Sequence, residues 1–536
     1  MRAIPGRALI LVVFSAMLQV LCFPLAGPLS AWGAVLSWLA LVPFLLALVQ
    51  GDSKGKPLSL LAAGFLGYLC GICWYLGNCY WIYQTMYLYG GMAKPVAFAI
   101  LLLFSLYLGL YHALFAVLIA AFRRSTLGIG GALLFAPFAW VAVELARARI
   151  TGFPWDLLGY SQVDNSLLTQ LAPLGGVPAM SFVIAAVNTA VCSSFVVKTR
   201  RRWSIAFAAM LVATGLQLGG RLRPESKSPA PETAVMVQEN IAVGASARGV
   251  RPLAQEEEMR AFTVLSLDAR KVGPQDKTGS RYQAGTPEYK PEIVIWPEAP
   301  SQLQSNDPMV RSGVAALART ADAPVVVGML GVDFDRSIPR GYSLYDSAAL
   351  FDRTGAYKGR YDKVHLVPWG EYVPYKQFFS FASKLTAGAG DMDQGHARTV
   401  FRLDGHAYGI FVCYESIFGD EVRQFVKNGA EVLVNISDDG WYGDTGAPWQ
   451  HLNMVRMRAI ENHRWVLRST NTGETTTIDP RGNYTMTQRH VRTSYALPFA
   501  FEQGTTFYTR HGDWLAYLCA LLTAGGLGFS WKRRMN

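Results

Sequence analysis

The chain has 536 residues, of which 51% are hydrophobic and only 16% charged. That balance excludes an ordinary soluble protein and a disordered one, and implies a membrane protein with a folded extramembrane part. The formal charge of +11 is no nucleic-acid signature, because the basic residues gather beside apolar stretches rather than on one soluble face.

Seven apolar stretches run over residues 9–25, 31–49, 58–83, 96–122, 127–145, 177–197 and 203–219, and an eighth over 514–531. Each is long enough to cross a hydrocarbon layer of ~30 Å as a helix. The first reads as a span rather than a cleaved signal, since further spans follow at once. If the eight alternate, Arg2, Arg7, Lys54, Lys56, Arg123, Arg124, Lys198, Arg200, Arg201, Arg202, Lys532, Arg533 and Arg534 fall on one side. Only Lys94, Arg147 and Arg149 occupy the short loops opposite. This asymmetry predicts cytoplasmic termini and an extracytoplasmic block between the seventh and eighth spans. Glu144 and His112 stand nearly alone as ionisable groups at membrane depth, which argues against a transporter. Tyr87, Tyr89, Trp155 and Tyr160 read as interfacial aromatics.

The large block lacks any span-length apolar run and alternates short Val/Ile-rich segments with helical patterns. Residues 224–231 read as a linker. Strands are predicted over 234–238, 292–296 and 324–329, with helices over 253–272 and 308–320. After a variable middle come strands 407–412, 431–436 and 466–470, with helices 417–426 and 450–463. Such alternation predicts an α/β layered domain.

Of seven cysteines, six lie in or beside the apolar stretches, and Cys70 and Cys73 there read as helix packing rather than a redox pair. Cys413 is the one in the soluble block. It ends the run Ala407–Val412 and precedes a turn and a helix, a placement that predicts an exposed nucleophile with its thiolate favoured by the helix N-terminus. Glu298 follows Trp296-Pro297 at a strand end, where a carboxylate can act as a general base. Lys363 and His365 lie in YDKVHLVPWGEYVP (361–374), a segment too aromatic and proline-punctuated for a plain surface loop. Lys363 suits an oxyanion and His365 suits a Cys/His pair, and spacing alone does not choose between Glu298 and His365 as base. No metal-ligand cluster or nucleotide-binding motif accompanies them.

Trp296-Pro297-Glu298, Lys363 within its segment and Cys413-Tyr414-Glu415 together resemble the nitrilase superfamily, with its Glu-Lys-Cys triad on an α-β-β-α sandwich. The flanking spans narrow the resemblance to its membrane-bound branch, the apolipoprotein N-acyltransferases. Gly152-Phe153-Pro154-Trp155, Gly159-Tyr160-Ser161-Gln162, Asp439-Gly440-Trp441-Tyr442-Gly443, Pro448-Trp449-Gln450-His451, Arg456–Glu461 and Arg468–Gly473 are similar to that family's motifs. The resemblance implies eight transmembrane helices with the sandwich inserted before the last: residues 1–222 as seven helices, 223–511 as the catalytic domain, and 512–536 as the last helix and a basic tail. It implies Glu298 as general base, Lys363 as oxyanion stabiliser and Cys413 as nucleophile, with Glu371 and Glu415 in support and no cofactor. Trp369, Tyr372, Trp441 and Tyr442 are expected in the pocket, and Phe378, Phe379 and Phe381 in a lid that dips into the lipid interface.

The implied activity moves a fatty acyl chain from a phospholipid such as phosphatidylethanolamine, through a Cys413 thioester, to the α-amine of a diacylglyceryl-cysteine on an apolipoprotein. The rival reading is a membrane-anchored amidase or hydrolase that uses water. The expected setting is the bacterial inner membrane, with the catalytic domain periplasmic. Glu474 after Asn471-Thr472-Gly473, Pro300 after Glu298-Ala299, and a polar stretch over 271–290 depart from the family's pattern.

Overall fold

The structure is a computed structural model that describes residues 4–52, 55–197, 202–222, 229–243, 254–271, 290–298, 303–373 and 391–535. Six described helices are long and apolar enough to cross a membrane: Leu60–Asn78, Lys94–Arg124, Gly128–Thr151, Leu168–Val196, Trp203–Gly220 and Trp514–Trp531. The first predicted span is a shorter helix, Gly6–Leu21. The second is broken into Ala31–Leu36 and Val42–Gln50. Asn188 caps that break, accepting from Leu41 N–H at 2.8 Å and donating to the Ser37 carbonyl at 2.9 Å. A polar side chain from a neighbouring helix thus replaces the backbone bonds that the break removes, which is how irregular backbone survives among spans. The eight expected stretches are therefore present as six span-length helices, one short helix and one broken one.

Arg123 donates to the Val49 carbonyl at 3.1 Å and Arg124 to that of Leu58 at 3.2 Å, gathering these ends on one side of the bundle. Arg149 lies at the other end of its helix, bound to Asp420 of the soluble block and, at 2.7 Å, to Asp513 before the last span. Glu144 and His112 are not isolated. With Gln19, Tyr75, Arg147 and Asp156 they line one cavity, where Glu144 accepts from Leu158 N–H at 2.7 Å and Arg147 donates to the Tyr75 hydroxyl at 2.9 Å. Sequence distance hid this cluster, whose members come from four helices and a loop.

Among the described residues, the soluble block has twelve strands. They are β1 (Glu232–Gln238), β2 (Arg270–Lys271), β3 (Ile293–Ile295), β4 (Val325–Phe334), β5 (Tyr342–Phe351), β6 (Tyr357–Asp362), β7 (Val400–Leu403), β8 (His406–Val412), β9 (Val432–Ser437), β10 (Val466–Thr470), β11 (Thr476–Ile478) and β12 (Thr493–Phe499). One sheet has the order β2-β12-β1-β3-β4-β5-β6 and the other β11-β10-β9-β8-β7. Period-two alternation sorts the first sheet's side chains. Ala234, Met236, Ile293, Ile295 and Val326 pack on the second sheet. Val235, Val237, Val294, Trp296 and Val325 pack on helices Gln255–Leu267 and Pro308–Ala321. Helices Gly419–Lys427 and Ala447–Asn462 cover the second sheet, through Val422, Phe425, Leu452 and Val455. The layers are helix, sheet, sheet, helix, the predicted sandwich.

Ala447–Asn462 lies between the second sheet and the spans, so Arg456, Arg458 and Glu461 on it are buried as well as its apolar residues. Its polar side chains hold the two parts together. Gln450 accepts from Trp155 Nε1–H at 2.7 Å and donates to the Pro24 carbonyl at 2.8 Å. Arg458 donates to the Tyr160 hydroxyl at 3.1 Å, and Glu461 accepts from Val177 N–H at 3.1 Å, beside the non-helical pair Gly175-Gly176. Trp155 and Tyr160 are accordingly buried docking residues, not the lipid-facing belt expected of them.

Candidate active site

Parallel strands place the site. β3 runs parallel to β1 and β4, and β8 to β9 to β10, so the carboxyl ends of β3, β8 and β9 open on one edge. Ser469 Oγ clamps the two sheets there, donating to the Val237 carbonyl at 2.8 Å. Trp296 is locked by stacking on Phe262, with ring centroids 4.5 Å apart, and by its Nε1–H donating to Ser266 at 2.9 Å. The chain then turns at Pro297 and delivers Glu298 to the edge. Lys363 follows β6 directly, and its N–H donates to the Asp346 carbonyl on β5 at 2.9 Å.

Cys413 follows β8 and begins the 3-10 turn Cys413–Ile417 with a φ of +46°. For a side-chain-bearing residue this conformation is strained, and such strain is concentrated at functional sites. The turn is held from both sides. Glu415 reaches back to Val412 N–H at 2.7 Å, and with its other oxygen accepts from the Tyr361 hydroxyl at 2.7 Å and from Val364 N–H at 2.7 Å. His451 Nε2 lies 3.1 Å from the Cys413 carbonyl and 2.6 Å from Ser416 Oγ, while its Nδ1 meets Asp439 Oδ1 at 2.9 Å. Burial raises the Asp439 carboxyl, but the charges of Arg468 and His451 outweigh it and hold the group well below the ordinary carboxylate range.

Lys363 Nζ is fully buried and donates to Glu298 Oε1 at 2.9 Å, Asp346 Oδ2 at 2.9 Å and Glu371 Oε1 at 2.5 Å. The second oxygen of Glu298 accepts from Asp438 N–H at 2.6 Å, across from the other sheet. The oxygens of Glu298, Asp346 and Glu371 lie within 4.8 Å of one another, a donor set with metal-ligand spacing. The ammonium of Lys363 occupies the middle of that set. Burial alone lowers the affinity of Lys363 for its proton, and the surrounding carboxylates reverse this, so the ammonium is held charged. Burial pushes Glu371 upward and Asp346 up to about 7, with Lys363 opposing both shifts.

Two expectations for Cys413 are corrected. It is only 6% exposed, and its thiol is pushed well above the ordinary range, first by burial and then by the charge of Glu298, with Lys363 and a Ser437 hydrogen bond opposing. Burial, reinforced by the charge of Glu298, leaves the resting group a thiol. His365 is not placed to serve as its base: its ring stacks on Phe418 at 4.5 Å and its Nε2 faces Glu421 at 3.5 Å.

Tyr442 is buried against Trp81 and Trp155, with centroids at 5.1 and 5.9 Å, and lies close enough for the Cys413 charge to affect its hydroxyl. Trp441 is 41% exposed and packs on Tyr89. Trp369 has a φ of +65° and its N–H donates to the Tyr372 carbonyl at 2.8 Å, closing the loop that carries Glu371. Phe378, Phe379, Phe381 and Pro300 lie outside the described residues, as does most of 271–290. Glu474 is buried, accepts from the Thr487 N–H, and is pushed up to about 7 by desolvation.

Sequence reasoning missed Asp346, Ser437 and Tyr361, and gave His451 and Asp439 no role. Asp346 is a single acid in a strand that was not predicted, whereas Tyr361 opens the aromatic segment already singled out.

Residues 15–190 match the family described as Apolipoprotein N-acyltransferase N-terminal domain, and residues 277–494 match Carbon-nitrogen hydrolase. An apolipoprotein N-acyltransferase of Geobacter metallireducens is 32% identical, over 99% of this chain and 97% of its own. Those of Methylococcus capsulatus and Bordetella bronchiseptica are 30% and 32% identical, over 94% and 91% of this chain and 96% and 90% of their own.

Proposed function

The chain belongs to the apolipoprotein N-acyltransferase family, and we propose that Glu298, Lys363 and Cys413 carry its acyl transfer through a thioester. The observation that carries this reading is the convergence of a buried thiol, a carboxylate and a fixed ammonium at one strand edge, with Lys363 Nζ 2.9 Å from Glu298. Glu298 takes the thiol proton, and sulfur forms a bond to the ester carbonyl carbon of a phospholipid such as phosphatidylethanolamine. The carbonyl electron pair moves to oxygen, which faces Lys363; loss of one such stabilising group typically slows a reaction ~10²- to 10³-fold. Collapse breaks the ester C–O bond, and Glu298 returns its proton to the lysophospholipid oxygen.

In the second half, the α-amine of a diacylglyceryl-cysteine attacks the thioester and gives a proton to Glu298. An amide forms, the C–S bond breaks, and the sulfur recovers the proton. Such an amine has a pKa of ~7.7–8.0, so a base that accepts its proton is useful near neutrality. Glu415 and Glu371 hold the turns that carry the three groups, while Tyr442, Trp441, Tyr372 and Trp369 shape the acyl pocket. Burial of the site under the spans favours amine over water as acceptor.

Residues 1–222 and 512–536 form the membrane anchor and 223–511 the catalytic domain, which faces the periplasm of a bacterial inner membrane with both termini cytoplasmic. The basic residues at the end of the bundle away from Arg149 support this orientation. Cys413→Ala is expected to abolish transfer in vesicles while the protein remains folded; retained transfer would reject the thioester route.

A further inference from the structure

The Lys363 ammonium has three N–H bonds, and each is engaged: with Glu298, Asp346 and Glu371. It has no fourth to give. If Lys363 is to donate to the acyl oxygen, one of the three carboxylates must yield during the reaction. Glu298 is the one whose charge changes, because it takes the thiol proton in the reading proposed above, on which this inference rests. Once neutral, it attracts the ammonium less, while the other two retain their hold.

Those two differ in kind. Glu371 comes from the loop closed by Trp369 and Tyr372, whereas Asp346 sits within β5, paired to β4 on one side and adjoining the Ser347–Asp362 pairing to β6 on the other. Asp346 grips Lys363 twice, by its carboxylate at 2.9 Å and by its main-chain carbonyl at 2.9 Å. The groups facing it are Lys363, Glu298 and Glu371, with Cys413 beyond the ammonium. Three carboxylates around one ammonium leave an excess of negative charge in a buried place, and such a set holds protons jointly. Asp346 is pushed up to about 7, first by burial and then by the charge of Glu298, with Lys363 opposing.

We propose that Asp346 is a positioning residue for acyl transfer: as a carboxylate it keeps the Lys363 ammonium in place when Glu298 becomes neutral, so that transfer of the Cys413 proton to Glu298 releases one Lys363 N–H to the acyl oxygen. Each proton is accounted for. The thiol proton moves to Glu298, Asp346 and Glu371 stay carboxylates, and Lys363 loses none.

The test is the rate of acyl-adduct formation on Cys413, followed by mass spectrometry across pH, for the full-length protein and Asp346→Asn in vesicles of phosphatidylethanolamine. Asn keeps an oxygen for Lys363 but carries no charge. The expected result is a plateau rate about tenfold lower, with the acidic limb of the profile displaced about one unit to lower pH, because one neighbouring negative charge is gone. An acidic limb that coincides with that of the parent, at any plateau rate, overturns the proposal and leaves Asp346 a structural role. If Asp346→Asn does not fold, Asp346→Glu decides, since it keeps the charge but displaces it by one methylene: a lowered plateau with the parental acidic limb supports the positioning role, and a parental plateau overturns it. No adduct on Cys413 in the parent would instead reject the thioester reading, on which the inference rests.

Discussion

Glu415 accepts the Val364 N–H at 2.7 Å, which ties the turn after the nucleophile to the turn after Lys363. The same carboxylate holds Val412 N–H at 2.7 Å with its other oxygen, so one side chain sets the distance between the sulfur and the ammonium. Glu415→Gln places an NH₂ against one of these backbone donors. A stranded buried donor costs about 1–3 kcal/mol, which corresponds to roughly a 10- to 100-fold loss if it falls on the transition state. The expected outcome is a transfer rate lowered by that factor together with a lower melting temperature. A parental rate would mean that the tie is dispensable.

Removing Lys363 should create a cation site. In Lys363→Ala the carboxylates of Glu298, Asp346 and Glu371, within 4.8 Å of one another, lose their shared counter-ion. Their ionisation then opposes folding, so the variant should lose stability as pH rises from the acid range towards neutrality. Added calcium should restore it, while the parent, with the place filled by an ammonium, should not respond. Melting temperatures with and without calcium at two pH values check this.

Glu474 gives a second pH dependence. Burial pushes its carboxyl from the ordinary 4.5 up to about 7. Between those values the unfolded chain releases the proton and the folded protein keeps it, so stability falls as pH rises through that window and is level above it. Glu474→Gln, which still presents an oxygen to Thr487, should match the parent near pH 4 and become progressively more stable than it up to about pH 7. Equal pH dependence of the two melting temperatures would contradict this.

Gln450 links the catalytic layer to the spans through Trp155 and Pro24. Gln450→Ala leaves a buried indole N–H and a carbonyl without partners, at about 1–3 kcal/mol for each group stranded. The variant should unfold at lower temperature in detergent and expose the 152–167 loop to protease before the parent does.

Much of this architecture was legible in the sequence, and the exceptions have physical causes. The strand 466–470 coincides with β10, and Cys413 and Glu298 fall at strand ends as read, because short apolar runs and the Pro297 break are local signals; β6, which places Lys363, was not predicted. The broken second span was not legible, since the groups that satisfy it, such as Asn188, come from a distant helix. Nor was the state of the Cys413 thiol, which depends first on burial and then on the charge of Glu298, brought from the other sheet, rather than on its own turn. Trp155 and Tyr160 were misread because an aromatic facing lipid and one facing a docked domain have the same sequence context.

The most direct test of the account is mass spectrometry of the purified protein after exposure to phosphatidylethanolamine vesicles. It predicts an acyl adduct on Cys413 that persists in buffer and is discharged by a diacylglyceryl-cysteine peptide, with the amide appearing on that peptide. Rapid loss of the adduct to water, or transfer to the peptide by Cys413→Ala protein, would contradict it.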